Sequence, residues 1–180
     1  MTNKQITTIK SSMSDIAEIR ILHAKYPDFC LNLPGNNTTD GALINLYSVN
    51  GDKSQLWNIY PDGTIRYQAN PQFCLNWDLS DYTVKLGSVY GISGNQNQHW
   101  NIYPDGTIRP HGNTSFCLNL KPNEARDNGT VNLRSFDDSD NQFWEISRTV
   151  IIRPRLYPKF CLNLAHNDAR DGGTVNLWRF

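Results

Sequence analysis

The side chains that could do chemistry come in copies. Asn32, Asn76, Asn119 and Asn163 each stand two residues after a cysteine: Cys30, Cys74, Cys117 and Cys161. A second set, Asn45, Lys85, Asn132 and Asn176, is followed two residues later by Tyr47, Gly87, Arg134 and Trp178. A third set precedes tryptophan, as Ser54-Gln55, Asn97-Gln98 and Asn141-Gln142. Carboxamides donate and accept hydrogen bonds but do not ionise at neutral pH, so their chemistry is recognition. No Gly-x-Ser-x-Gly, His-Glu-x-x-His or phosphate-cradling glycine loop occurs, and no carboxylate pair suited to hydrolysis is found. His23, His99, His111 and His166 lack metal-ligand spacing. Asp137, Asp138 and Asp140 lack the glycine and terminal glutamate of a calcium loop and read as a solvated hairpin. An enzyme is therefore not expected, and neither a metal nor another cofactor.

These residues ride on a tandem repeat. The four cysteines recur every 43 or 44 residues within Phe-Cys-Leu-Asn-Leu (Phe-Cys-Leu-Asn-Trp at 73–77). Gln-x-Trp follows at 55–57, 98–100 and 142–144, and Trp-Asn-Ile-Tyr-Pro-Asp-Gly-Thr-Ile-Arg appears unchanged at 57–66 and 100–109. Each unit reads as four strands, the fourth carrying Gln-x-Trp, with Pro-Asp-Gly turns at 61–63 and 104–106. Period-two alternation puts Phe29, Leu31 and Leu33 on one face and Cys30 and Asn32 on the other. Likewise Ile44 and Leu46 oppose Asn45 and Tyr47, while Gln55, Trp57 and Ile59 share a face. The apolar sets, with Trp57, Trp100 and Trp144, make a core; Asn32, Asn45 and Tyr47 converge opposite it.

A chain of 180 residues is long enough for one well-cored domain. Its 17 basic and 17 acidic residues balance, which argues against a nucleic-acid or anionic-membrane partner. No apolar run approaches the roughly 18 residues that span a bilayer, and Met1 to Ser14 is too polar for a secretory signal. A removed signal, another export route and a cytosolic home stay open. A four-strand period of this length also suits propeller blades, but three full units and a part are few, and Gly-His and Trp-Asp signatures are missing. Three four-strand units instead close a barrel without open edges. The predicted class is all-β, a β-trefoil of four-strand repeats with three full repeats plus a partial fourth. Residues 1–16 form an arm, 17–150 the trefoil (repeats about 17–63, 64–106 and 107–149), and 151–180 the partial repeat. That last piece is either the opening of a second trefoil or a strand-exchange element; a barrel from Gln55 to Phe180 also counts to twelve strands.

With Cys-Leu-Asn, Asp-Gly-x-x-x-x-Leu-Tyr, Gln-x-Trp and Gly-Thr-Ile-Arg in this order, residues 17–180 resemble the ricin-type, or Gln-x-Trp, β-trefoil lectins. The resemblance implies sugar sites on one face of each repeat. Each site has an acidic residue two after the cysteine, a polar residue and a stacking aromatic on the third strand, and an Asn before Gln-x-Trp. Carried over, repeat one offers Asn32, Asn45, Tyr47 and Gln55, with Ser54 in place of the last Asn. Repeat two offers Asn76, Lys85, Asn97 and Gln98, but Gly87 replaces the ring and the site is expected to be dead. Repeat three offers Asn119, Asn132, Asn141 and Gln142, with Arg134 in the aromatic position. Repeat four offers Asn163, Asn176 and Trp178.

All four repeats depart from the family in one respect: the acidic residue is Asn. Losing the charge costs about 1 kcal/mol per site, roughly fivefold in affinity; Asn is also a donor, so the preferred epimer need not be the family's usual galactose. Family cysteines pair with a partner on the third strand; here Ser48, Ser88, Ser135 and Arg179 stand there, so partly buried thiols are expected. Asn36, Asn37, Asn113 and Asn128 begin glycosylation sequons, meaningful only in a eukaryotic secretory pathway. The resemblance implies a non-catalytic carbohydrate-binding module for galactose-type or related glycans or glycoproteins, with a secreted or extracellular setting favoured. Such modules serve as targeting parts of toxins or glycan-degrading enzymes, so a toxin or enzyme chain, or a homo-oligomer, is the expected company. The competing reading is a protein-binding or structural trefoil with decayed sugar sites.

Overall fold

The computed structural model describes residues 18–89, 96–149, 160–164 and 175–179. The chain divides into a unit of Glu18–Arg148 and a second unit holding both termini. In the first, twelve strands run in three groups of four: β1 (Glu18–His23), β2 (Phe29–Asn32), β3 (Asn45–Ser48) and β4 (Trp57–Ile59); β5 (Ile65–Tyr67), β6 (Phe73–Asp78), β7 (Thr83–Ser88) and β8 (Trp100–Ile102); β9 (Ile108–Pro110), β10 (Phe116–Leu120), β11 (Gly129–Ser135) and β12 (Trp144–Thr149). In the second, β13 (Phe160–Leu164) and β14 (Val175–Arg179) pair as a hairpin.

The first and fourth strands of each repeat follow one another round a ring. β1 pairs with β4, β4 with β5, β8 with β9, and β12 with β1. The remaining gaps are bridged by Thr64 opposite His99 and by the Trp144 N–H donating to the Gly106 carbonyl at 2.8 Å. The second and third strands form hairpins β2–β3, β6–β7 and β10–β11, joined through β3–β11, β7–β11 and a Leu43–Lys85 bridge. Six ring strands under three hairpins are a β-trefoil.

The core forms because each repeat supplies the same apolar positions. Leu31, Leu75 and Leu118 are fully buried, as are Leu46, Leu86 and Leu133 on the partner strands. Each Gln-x-Trp indole spans this layer, its Nε1–H donating to the carbonyl of the leucine just named: Trp57 to Leu31 at 3.3 Å, Trp100 to Leu75 at 3.1 Å, Trp144 to Leu118 at 3.0 Å. Cys30, Cys74 and Cys117 are unpaired and fully buried rather than partly so. Burial pushes their thiols up, to about 12, 12 and 11.

Identical sequence gives identical local structure. In the twice-copied decapeptide Asp62 accepts from the Thr64 N–H at 2.9 Å and from its hydroxyl at 2.7 Å; Asp105 does the same for Thr107 at 2.8 and 2.7 Å. Arg66 pairs with Asp62 and lies over Tyr60, as Arg109 does with Asp105 and Tyr103. Gly63 and Gly106 hold φ of 86° and 90°, where a side chain is strained.

His23 breaks the symmetry. It is fully buried, edge-on to Trp144 with ring centroids 5.1 Å apart, and its Nε2 has no partner among the described residues. Burial, opposed by the Asn141 carbonyl, lowers its pKa from 6.5 to about 4. The unfolded chain therefore takes up a proton at a pH where the native fold does not. Stability is unaffected above pH 6.5, falls as pH drops from 6.5 to 4 and then levels, by at most about 3 kcal/mol. Denaturation midpoints measured across that window should show the slope in the wild type and a shallower one in His23→Phe.

Candidate functional site

The hairpin register sets the site. Asn32 lies opposite Asn45 and Cys30 opposite Tyr47. The same pairing recurs as Asn76–Lys85 and Cys74–Gly87, as Asn119–Asn132 and Cys117–Arg134, and as Asn163–Asn176 and Cys161–Trp178. Because Leu31 and Leu46 turn into the core, Asn32, Asn45 and Tyr47 are left on one side.

In repeat one Asn32 and Tyr47 line a cleft of about 240 Å³, with Pro34, Gly35, Asn36, Asn50, Asp52, Ser54 and Asn128. The carboxamides are ordered by a relay. Asn32 Nδ2 donates to Asn45 Oδ1 at 2.9 Å, and Asn45 Nδ2 donates to Asn128 Oδ1 at 3.0 Å. Asn36 is fixed by the Tyr67 hydroxyl, which donates to its Oδ1 at 2.6 Å. Tyr47 is half-buried and has no stacked protein ring among the described residues.

Repeat three contributes to this cleft across the repeat boundary. Asn128 sits at φ 61° in the β10–β11 loop, where Gly41 and Tyr82 take φ of 83° and 58° in the equivalent loops. Its neighbour Asp127 accepts the Ser48 N–H at 2.8 Å. Asp127, Asn128, Asn36 and Asp52 are absent from the residues carried over from the resemblance. The repeating Asp-Gly, Asp-Tyr and Asp-Asn turns mark the loop in sequence, but only the β3–β11 pairing says which site it reaches.

Repeat two has a smaller cleft of about 180 Å³, lined by Asp40, Gly41, Asn76, Lys85, Leu86, Gly87 and Gln98. Lys85 is tied to Asp81 at 2.7 Å, and a Cβ at position 87 would lie 3.3 Å from the Asn76 Cβ. An aromatic has no easy place there. In repeat three Asn119 Nδ2 donates to Asn132 Oδ1 at 2.8 Å, Asn141 is half-buried, and Arg134 leans on Asp137 at 3.1 Å. The Oδ1 atoms of Asn76 and Asn119 are buried acceptors with no donor among the described residues. Asn163, Asn176 and Trp178 keep the hairpin register, and their side chains lie outside the described residues.

Gln55 and Gln142 take a different part. Both are fully buried. They sit in short 3-10 turns, 53–55 and 140–142, that precede the tryptophan strands, not in the strands themselves. Gln55 Nε2 donates to the Ser48 carbonyl at 2.8 Å while its Oε1 accepts the Asn50 N–H at 3.1 Å. Gln142 repeats this with Ser135 and Asp137 at 2.9 and 3.0 Å. With both ends of each amide spent on backbone, these residues brace the loop that walls the site. Gln142→Ala should cost about 1–3 kcal/mol in denaturant titration, the penalty for stranding two backbone groups; an unchanged midpoint would remove the bracing role.

The comparisons agree with this architecture. The model of the ricin-type β-trefoil lectin domain matches residues 18–109 and 84–180. Among solved structures, a designed threefold-symmetric protein, ThreeFoil, is 21% identical with a TM-score of 0.61, covering 71% of this chain and 96% of its own. The C-half of an earthworm R-type lectin in complex with GalNAc is 16% identical with a TM-score of 0.62, covering 73% of this chain and 99% of its own. The β-trefoil lectin of the Vibrio vulnificus hemolysin/cytolysin, with N-acetyl-D-lactosamine bound, is 17% identical with a TM-score of 0.61, covering 76% and 98%. No curated protein matches the chain. By its repeats, its trefoil and the family model that spans both, this chain belongs to the ricin-type β-trefoil lectin domain family.

Proposed function

We propose that the chain binds galactose-type or related glycans reversibly, making and breaking no bond, and that repeat one is its principal site. The observation that carries this reading is the cleft in which Tyr47 stands beside the ordered Asn32–Asn45–Asn128 relay. An apolar ring face beside fixed carboxamides suits a pyranose, which has an apolar face and a rim of hydroxyls that donate and accept. Repeats three and four are secondary sites: Asn119, Asn132, Asn141 and Arg134 in one, Asn163, Asn176 and Trp178 in the other. The undonated Asn119 Oδ1 supports the first, since a buried acceptor calls for a donor.

A single shallow site binds near millimolar, about −4 kcal/mol, so useful affinity comes from several sites, a homo-oligomer or a partner chain acting together. We place the domain in an extracellular role as the targeting part of a toxin or a glycan-degrading enzyme; the trefoil of the Vibrio hemolysin/cytolysin supports that analogy. Within this reading residues 17–150 act as the lectin and 151–180 as an added partial repeat.

The second reading is a trefoil that binds protein through decayed sites. Gly87 and Arg134, where two rings are missing, favour it. A glycan array followed by competition with free sugar separates the two. A lectin binds a related set of glycans and releases them to the sugar, whereas a protein binder ignores the array and holds its partner.

A further inference from the structure

The family's carboxylate is missing from the second strand in repeat one, yet the cleft contains one. Asp52 lies in its wall, on the loop from β3 to β4, facing the same space as Tyr47 and Asn32. Its position is fixed from two sides. The Ser54 N–H donates to Asp52 Oδ1 at 2.8 Å, and Asn36 Nδ2 reaches the same oxygen at 3.3 Å. Asn36 is in turn held by the buried Tyr67. Those bonds, the Ser54 N–H first, lower the Asp52 pKa from its ordinary value, so the group is a carboxylate at neutral pH. Asn32 replaces the family's carboxylate only with a neutral acceptor: its Nδ2 donates to Asn45, which leaves the uncharged Oδ1.

Asn128 stands in the same cleft with its polarity fixed. Its Oδ1 receives Asn45 Nδ2, so its own NH2 is left as a donor. One wall therefore offers a charged acceptor and another a neutral donor, brought from two different repeats.

We propose that Asp52 is the carboxylate that receives a sugar hydroxyl in repeat one, and that Asn128 of repeat three donates to a second hydroxyl of the same ring. The inference rests on the lectin reading and names the residues that set its specificity. It assigns the cleft a monosaccharide with neighbouring hydroxyls, one donating to Asp52 and one accepting from Asn128. At about 240 Å³ the cleft is smaller than the pockets of drug-sized ligands, roughly 300–1,000 Å³, which suits one ring and not an extended chain.

Two isosteric variants test it. Asp52→Asn keeps an Oδ1 for the Ser54 N–H and a good capping residue for the turn. Asn128→Asp keeps the acceptor for Asn45, removes the donor and adds a negative charge where the donor was. Methyl α-D-galactoside and its monodeoxy derivatives are titrated calorimetrically into wild type, both variants and Tyr47→Ala. Asp52→Asn should weaken the parent sugar about fivefold, the difference between a charged and a neutral hydrogen bond, with an unchanged melting midpoint. One monodeoxy derivative should lose affinity on the wild type and lose about fivefold less on Asp52→Asn, where only the neutral bond remains to be lost. Such coupling is what a contact produces and what a purely structural role does not. Asn128→Asp should also weaken binding and couple to a different derivative. Wild-type affinity in Asp52→Asn, or equal penalties from every derivative on both proteins, would overturn the assignment while Tyr47→Ala still reports the lectin site. Tighter binding by Asn128→Asp would overturn the donor role. No binding of the sugar by wild type would instead overturn the galactose-type reading itself.

Discussion

Tyr47→Ala should weaken glycan binding at least about tenfold while leaving the fold intact. The ring is half-buried on the outer face of β3, opposite Cys30. It is held by backbone pairing, and among the described residues it has neither a stacked protein ring nor a side-chain hydrogen bond. Its removal therefore costs the trefoil little. For a sugar it is the one aromatic face among the residues that line the cleft, and covering such a face is worth roughly 1–2 kcal/mol by its area, which is about tenfold in affinity. Tyr47→Phe keeps the face and should bind within about twofold of wild type. Calorimetric titration of both variants checks the pair. Full binding by Tyr47→Ala would move the principal site to repeat three or four, where Arg134 and Trp178 occupy the same register position.

The largest effect on stability is expected from Trp57→Ala. Trp57 is fully buried, meets Tyr67 edge-on at 6.0 Å between ring centroids, and ties β4 to the Leu31 carbonyl of β2. Its loss leaves a cavity and an unpaired carbonyl at once, about 3–5 kcal/mol, against a total of about 5–15 for a domain. Trp57→Phe fills most of the space without the N–H and should cost less, about 1–2 kcal/mol. Denaturant unfolding, read by circular dichroism because the tryptophans themselves change, would measure both. An alanine variant within 1 kcal/mol of wild type would show that the Gln-x-Trp indoles are not the pillars of this core.

Much of the fold was legible because the repeat is written in the sequence. The spacing of Cys30, Cys74, Cys117 and Cys161 gives the hairpins, and alternation in Phe-Cys-Leu-Asn-Leu separates Leu31 from Asn32. The gathering of Asn32, Asn45 and Tyr47 follows from the same alternation, since strands paired in register put alternate residues on one face. Three features were not legible, each for a physical reason. Alternation places Cys30 on the face opposite the leucines but cannot say that it is fully buried there; the covering comes from parts of the chain outside its own hairpin pattern. Gln55 alternates with Trp57 and so reads as part of a strand, yet its amide bonds to the backbone on both sides turn the chain into a 3-10 turn. Asn128 belongs to the repeat-one cleft although it lies far away in sequence. A period describes each repeat alone, and the meeting of one repeat with the next is set only when the trefoil closes.

The central claim, that a glycan docks reversibly in the cleft of repeat one, is tested most directly by nuclear magnetic resonance. Methyl α-D-galactoside would be titrated into the isotope-labelled chain, to roughly ten times a millimolar dissociation constant. The account predicts saturable shifts of the Asn32, Asn45 and Asn128 side-chain amides and of the Tyr47 ring, reversed on removing the sugar; in Tyr47→Ala the amide shifts need at least about tenfold more sugar. A spectrum that does not move, or one that moves only at residues remote from that cleft, would contradict it.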